Sequence, residues 1–174
     1  MKSILIYLTT FILNGFLSDQ SALCQSNVEP TVLIAALPMS GPTGFQKGEV
    51  IVNQSNPAQV TVVFNKLIKK EQGGEDGAPD QTQSIVVNIN DETGNSEFTF
   101  LMIAPERNEE KAIKVKGKYT GKESVYKNDY GCVESNMIFL INDRFLVEIK
   151  GNKICDTAVL YQIVDKMKTE TLPL

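Results

Sequence analysis

The stretch from Cys132 to Met167, CVESNMIFLINDRFLVEIKGNKICDTAVLYQIVDKM, constrains the fold more than any other part of the chain. It reads as two apolar strands joined by a short turn and followed by an amphipathic helix. Asn142-Asp143 suits a two-residue type I′ turn, because both residue types tolerate positive φ. That turn would pair Ile141 with Arg144. It would also set Leu140 opposite Phe145, Ile138 opposite Val147 and Asn136 opposite Ile149 on one face, which is the expected core. Phe139–Leu146 and Met137–Glu148 would form the other face, since side chains alternate along strands. This second face is too apolar for open solvent, so a further layer is expected over part of it. The same register sets Cys132 opposite Lys153, close enough to Cys155 for a disulfide between Cys132 and Cys155.

Beyond Cys155, Asp156 is a suitable helix N-cap. Val159, Leu160, Ile163, Val164 and Met167 then form one apolar stripe, while Gln162, Asp165, Lys166 and Lys168 fall mostly away from it. A helix of that kind should lie flat on the sheet.

Residues 1–24 read as a secretory signal. Lys2 supplies a positive start, ILIYLTTFIL an apolar core of about ten residues, and Ala22 and Cys24 small residues for cleavage before Gln25. The alternative, lipidation of Cys24 as in a lipoprotein, is disfavoured by the bulky Leu23. The expected location is therefore exported, periplasmic or secreted, with an oxidising environment for the remaining cysteine pair. Residues 25–174 form the expected single domain. Its mildly acidic balance, −4 for the whole chain and unchanged by removal of Lys2 and Asp19, argues against a nucleic-acid binder. No later run is apolar enough for a membrane span.

Along the domain, Pro30–Leu37 reads as a short helix or apolar segment stopped by Pro38, and Val50–Val52 as a short strand. Gln59 to about Lys70, where Asn56-Pro57 would also start a helix but Val60–Phe64 favours a strand, and Gln83–Asn90 read as strands of a hairpin whose long connection, residues 71–81, is expected to be a flexible acidic loop. Residues 96–104 are ambiguous, and helix is preferred to strand. Lys111–Lys118 reads as a strand with Ile113 and Val115 inward and Lys114, Lys116 and Lys118 outward. A turn is expected at Gly121, leading to a short strand at Glu123–Tyr126. The fold class is α+β: an antiparallel sheet with helices packed on it, ending in a strand hairpin and an amphipathic helix.

The chain contains no histidine. That excludes Ser-His-Asp and Cys-His catalysis, His-ligated zinc and His-based acid–base chemistry. The cysteines are not in a redox spacing, and GKYTGKES departs from a phosphate loop. Asp91, Glu92 and Glu97 cluster near a turn and are read as turn acids ahead of a Ca²⁺ site or a glycosidase-like pair, which needs two acids on rigid elements. No catalytic residue, cofactor or metal is assigned.

Two surfaces remain as candidate sites. Lys114, Lys116, Lys118 and Lys122, with Tyr119 and Tyr126 nearby, form a stripe that would attract an anionic glycan, lipid headgroup or acidic protein. Its structural reading, the solvent face of a strand, is preferred. Met137, Phe139 and Leu146 would line a helix–sheet groove or simply form a second core face, and the core reading is preferred.

Leu37-Pro38, Gly44-Phe45, IVVNINDETG, VKGKYTG and NDRFLVEIKGN before a helix ending near Leu172 together resemble a loose set of uncharacterised bacterial secreted proteins and lipoproteins. That resemblance implies an α/β/α sandwich of the Mog1/PsbP type and brings no active site. The functional expectation is a non-catalytic binding or interaction module of the cell envelope. An unknown protein or an anionic envelope component is the partner it implies. The alternative is a carrier of an apolar small molecule or lipid in the helix–sheet groove.

Overall fold

The computed structural model describes residues 27–54, 58–68, 81–94, 102–104 and 109–174. The expected signal segment, the loop at 71–80 and most of the 96–104 span lie outside these residues. Within that last span Met102 and Ile103 are helical.

Seven strands form one sheet: β1 (Gln46–Asn53), β2 (Gln59–Ile68), β3 (Gln81–Asp91), β4 (Glu110–Val115), β5 (Tyr119–Asn128), β6 (Gly131–Ile141) and β7 (Phe145–Asn152). Their order in space is β1-β2-β3-β7-β6-β5-β4, and every neighbouring pair is antiparallel. The sheet is thus two meanders, β1–β3 and β4–β7, joined along β3 and β7. The chain crosses between them from the middle of the sheet to its far edge. Helix α1 (Pro30–Ala36) precedes the sheet, and helix α2 (Ala158–Lys166) and a single 3-10 turn (Thr169–Thr171) follow it. Pro30 opens α1 with its fixed φ, and Pro38 forces Leu37 into extended backbone, ending it.

Both helices lie on one face. Leu33 and Ala36 of α1 and Leu160, Ile163 and Val164 of α2 close over Val60, Val62, Phe64, Ile85, Val87 and Ile89 from the first meander. The second meander contributes Met137, Phe139, Ile141, Phe145, Val147 and Ile149 to the same core, all fully buried. The α2 stripe is as the spacing predicts, with Met167 also buried. Asp156 caps from one residue further out than expected, its Oδ1 accepting the Ala158 N–H at 3.0 Å.

The β6–β7 register differs from the sequence expectation by one residue. Asn142 and Asp143 do take positive φ, 53° and 52°, and the Arg144 N–H donates to the Ile141 carbonyl as in a two-residue turn. Arg144 is nevertheless left out of the ladder, and Ile141 pairs with Phe145, Phe139 with Val147 and Met137 with Ile149. One extra residue on one strand exchanges the faces of its side chains relative to the partner. The core face therefore holds Met137, Phe139, Ile141, Phe145, Val147 and Ile149. Asn136, Ile138, Leu140, Leu146 and Glu148 face the other way. Leu140, Leu146 and Ile138 pack there with Met102 and Ile103 from the crossing segment, which supplies the second layer over part of that face.

Two further expectations are corrected. β4 stops at Val115, and Lys116-Gly117-Lys118 is the turn, with Lys116 at φ 48° and Gly117 at φ 71°. Gly121 is no turn but lies inside β5, opposite Phe139. A Cβ there would stand 2.3 Å from the Ile138 carbonyl oxygen and 2.6 Å from the Phe139 Cβ. Glycine is needed because the two strands approach too closely there for any side chain.

The Cys132–Cys155 disulfide is present, with a Cα–Cα distance of 5.7 Å. It ties the start of β6 to the linker between β7 and α2. The C-terminal tail is held separately: the Lys168 N–H donates to the Ala36 carbonyl, and Asn142 Nδ2 donates to Pro173 O at 2.8 Å.

Two stability measurements follow from this packing. Gly121→Ala is expected to lower the unfolding free energy by about 3 kcal/mol in urea titrations, through overpacking against backbone that cannot yield. A variant with an unchanged midpoint would refute the close approach. Cys132→Ala/Cys155→Ala, which reopens a loop of 23 residues' separation, is expected to cost about 3 kcal/mol on the chain-entropy model. Reducing agent should then leave the double variant's unfolding curve unmoved.

Candidate functional site

The face of the sheet opposite the helices is mainly polar. Strand alternation and register place Thr61 of β2, Asn88 of β3 and Glu148 of β7 side by side across it, with Asn136 of β6 one step along. Thr61 Oγ1 donates to Asn88 Oδ1 at 2.7 Å. Asn88 Nδ2 and Asn136 Nδ2 converge on the two Glu148 carboxylate oxygens at 3.4 and 3.5 Å. A hydrogen-bonded row thus spans four strands. Asn136 Oδ1 and Asn90 Oδ1 are buried on this face without a hydrogen-bond partner among the described residues.

Toward the β4 edge, Glu109, Glu110, Ser124, Val125, Tyr126 and Glu134 line a groove of about 520 Å³. Two of its three carboxylates are each met by a lysine. Lys122 Nζ lies 3.1 Å from Glu110 Oε1, with both side chains mostly buried, and Lys150 Nζ lies 2.8 Å from Glu134 Oε2. Tyr126 stands 57% exposed. A β-bulge between Tyr126 and Lys127 sets its direction, and the Cys155 sulfur lies 3.7 Å from its backbone carbonyl oxygen. Bulges commonly re-aim a side chain beside a site. Here the bulge sits directly next to Cys132, which pairs with Lys127.

The residues singled out in the sequence are spread over several environments. Lys114, Lys122 and Tyr126 share the open face, where Lys114 Nζ donates to Thr120 Oγ1 at 2.6 Å. Lys116 donates to the Met167 carbonyl at 2.9 Å, tying the β4–β5 turn to the end of α2. Lys118 lies over the Tyr119 ring, 4.4 Å from its centroid. Tyr119 itself is in the core, stacked on Phe139 with centroids 6.3 Å apart. Hence no continuous cationic stripe forms. Met137 and Phe139 lie under the helices and Leu146 on the opposite face, so these three do not line one groove. Asn136, Glu148, Ser124 and Glu134 were missed in the sequence. Polar residues at alternate positions of β5–β7 were the available signal, obscured by the mis-set register.

Asp91, read from sequence as a turn acid, is fully buried in an ion pair with Arg144. Arg144 Nε donates to Oδ1 at 2.7 Å and one terminal nitrogen to Oδ2 at 2.8 Å. Thr93 Oγ1 donates to Oδ1 at 2.6 Å and the Val28 N–H to Oδ2 at 2.7 Å. Burial alone would push the Asp91 carboxyl up. The bonds from Arg144, Thr93 and Val28, with the Arg144 charge, outweigh it and hold the carboxyl below its ordinary 3.8. With all its oxygens engaged, Asp91 is structural. Tyr161 is shifted the other way: burial and the adjacent Glu123 carboxylate, which accepts its hydroxyl at 3.1 Å, raise its phenol. Among the described residues no group of His, Cys, Asp or Glu is arranged to hold a metal ion, and no helix is long and apolar enough to cross a membrane.

No protein-family model, curated protein or solved structure matches the chain.

Because the Asp91 carboxyl is held below its ordinary value, it contributes stability that is complete at neutral pH. That contribution is lost as pH falls through about 4 toward the folded-state value. Urea unfolding of Asp91→Asn at pH 7 is expected to show a loss of about 3 kcal/mol, since it removes the buried carboxylate charge that two Arg144 nitrogens meet. The variant should also show a shallower decline on acidification. Equal stability at neutral pH would refute the pair's role.

Proposed function

We propose that the protein is a non-catalytic, exported binding module that recognises its partner through the open face of the sheet. The observation that supports this most directly is the groove beside Tyr126, which combines an exposed ring, hydrogen-bonding side chains and a bulged, disulfide-braced strand end. Exposed aromatic rings flanked by placed polar groups are the usual makings of a recognition surface. Export fits the bridged cysteine pair. The fold analogy to the Mog1/PsbP type is kept as part of this reading and supplies no residue to it.

The carrier alternative gains no such support. Met137 and Phe139 have no exposed surface between helix and sheet, and Leu146 faces away from them. An unknown protein or an anionic envelope component remains a partner class within the binding reading. The interior pairing of Lys122 and the tethering of Lys114 and Lys116 weaken the case for a purely electrostatic one.

Residues 25–174, purified from the source organism, are expected to show the bare polypeptide mass in native mass spectrometry. They should also co-sediment with insoluble envelope material from that organism. Ser124→Arg/Tyr126→Ala, melting at the wild-type temperature, should stay in the supernatant. Sedimentation of both proteins or of neither would overturn the open-face reading, and a lipid-sized mass adduct would favour the carrier instead.

A further inference from the structure

The two edges of the sheet are finished differently. At one end β4 carries the exposed Lys111 and Lys114, charges of the kind that discourage a further strand from adding. At the other end β1 is exposed at every position but Val50, and no described residue forms a ladder on its outer side. Its middle, Val50-Ile51-Val52, carries no charge. Ile51 is 60% exposed and Val52 38%. Unpaired backbone N–H and C=O groups beside an uncharged apolar surface make a template for another strand. The bulge between Lys47 and Val50 limits the regular part of that template to Val50–Asn53.

The order of residues there selects the partner. Val50 and Val52 stand opposite the core residues Val62 and Val60, and Ile51 stands opposite Thr61 on the polar face. In a two-fold, antiparallel pairing of two such strands each residue must meet one from its own face, so the axis has to pass through a residue and not between two. An axis on Ile51 sets Ile51 against itself and Val50 against Val52 of the other copy, twice. Every central pair is then apolar, on both faces. Glu49 falls opposite Asn53, a carboxylate beside a neutral amide, and no like charges meet. An axis on Val50 would instead set Ile51 against Glu49, and one on Val52 would set it against Asn53. Pairing of β1 with β4 of another copy would leave a free edge at each end and grow without closing.

The geometry points to a second copy of this chain as the occupant of the β1 edge: two copies join edge to edge through Val50–Asn53, antiparallel about Ile51. So short a ladder buries well under the about 800 Å² per partner of a standard interface, so the dimer is weak and forms at high local concentration. β5, which carries Tyr126, is the sixth strand from this edge. The groove beside Tyr126 therefore stays open in the dimer, and the dimer does not depend on that groove's having a ligand.

The test is sedimentation equilibrium of residues 25–174 from micromolar to millimolar concentration, with Ile51→Lys, Ile51→Cys and Leu67→Cys alongside. The wild-type mass is expected to rise from monomer toward dimer and to stop there. Ile51→Lys puts like charges face to face on the axis and should weaken association by about tenfold or more. Ile51→Cys should oxidise to a covalent dimer, since directly opposed residues of an antiparallel pair stand about 4.5–5.5 Å apart at Cα, within disulfide reach. Leu67→Cys, similarly exposed but on β2, should stay monomeric under the same oxidant. The native cysteines are already bridged and leave the introduced thiol alone. The inference is overturned if the wild type remains a monomer at millimolar concentration, if assemblies larger than a dimer form, or if the two cysteine variants cross-link alike. It is also overturned if Ile51→Lys melts at the wild-type temperature and associates as wild type. Should that variant melt early, the cysteine pair decides alone.

Discussion

The fold depends on one buried ion pair. Asp91 closes β3, Arg144 closes the β6–β7 turn, and the two are bonded twice. Their backbones are also joined, since the Glu92 N–H donates to the Arg144 carbonyl. A carboxylate taken out of water is tolerated only when its oxygens are fully engaged. Asp91 achieves this with three side-chain bonds and the Val28 N–H, which draws the segment before α1 onto the sheet. The junction between the two meanders, the start of α1 and the β6–β7 turn are therefore fixed at one point.

That point also decides which face each strand buries. With Arg144 turned aside to meet Asp91, it drops out of the ladder, and Ile141 pairs with Phe145. Were Arg144 paired with Ile141 as in an ordinary two-residue hairpin, one strand would present its Leu and Glu residues to the helices. Instead Phe139 and Met137 reach the core from β6, and Val147 and Ile149 from β7. On the other side of β6, Gly121 is required by the close approach of β5 itself, since its Cβ would meet the Ile138 carbonyl oxygen and the Phe139 Cα and Cβ.

Much of the architecture was legible in the sequence because it rests on local periodicity. The β3 alternation of Ile85, Val87 and Ile89, the α2 stripe and the positive φ at Asn142-Asp143 all follow from residue type and spacing. The disulfide followed from cysteine count and approximate register, which tolerates an error of one residue. The β7 face was legible: Phe145, Val147 and Ile149 are its core side, as the sequence led us to expect. The β6 face was not, because Ile138 and Leu140 on one side are as apolar as Met137, Phe139 and Ile141 on the other, and Arg144, which drops out of the ladder, is bonded to Asp91 more than fifty positions away in sequence. The lysines misled for a related reason: alternation continues through Lys116 and Lys118, but Gly117 turns the chain there. Of the candidate surface, Tyr126 and Lys122 were legible as residues. Asn136, Glu148 and Glu134 were not, since they share a face only once the true register is known.

The same physics explains why one face of the sheet is mainly polar. Helices α1 and α2 both lie on one side of the sheet, and on the other Met102 and Ile103 pack on Leu140, Leu146 and Ile138. A sheet face left to water must be polar, which the Thr61–Asn88–Glu148–Asn136 row satisfies without any ligand. Tyr126 lies at the bulged end of β5 beside the disulfide, so the backbone that carries its exposed ring is fixed both by the β5–β6 ladder and by the covalent bridge to the linker before α2.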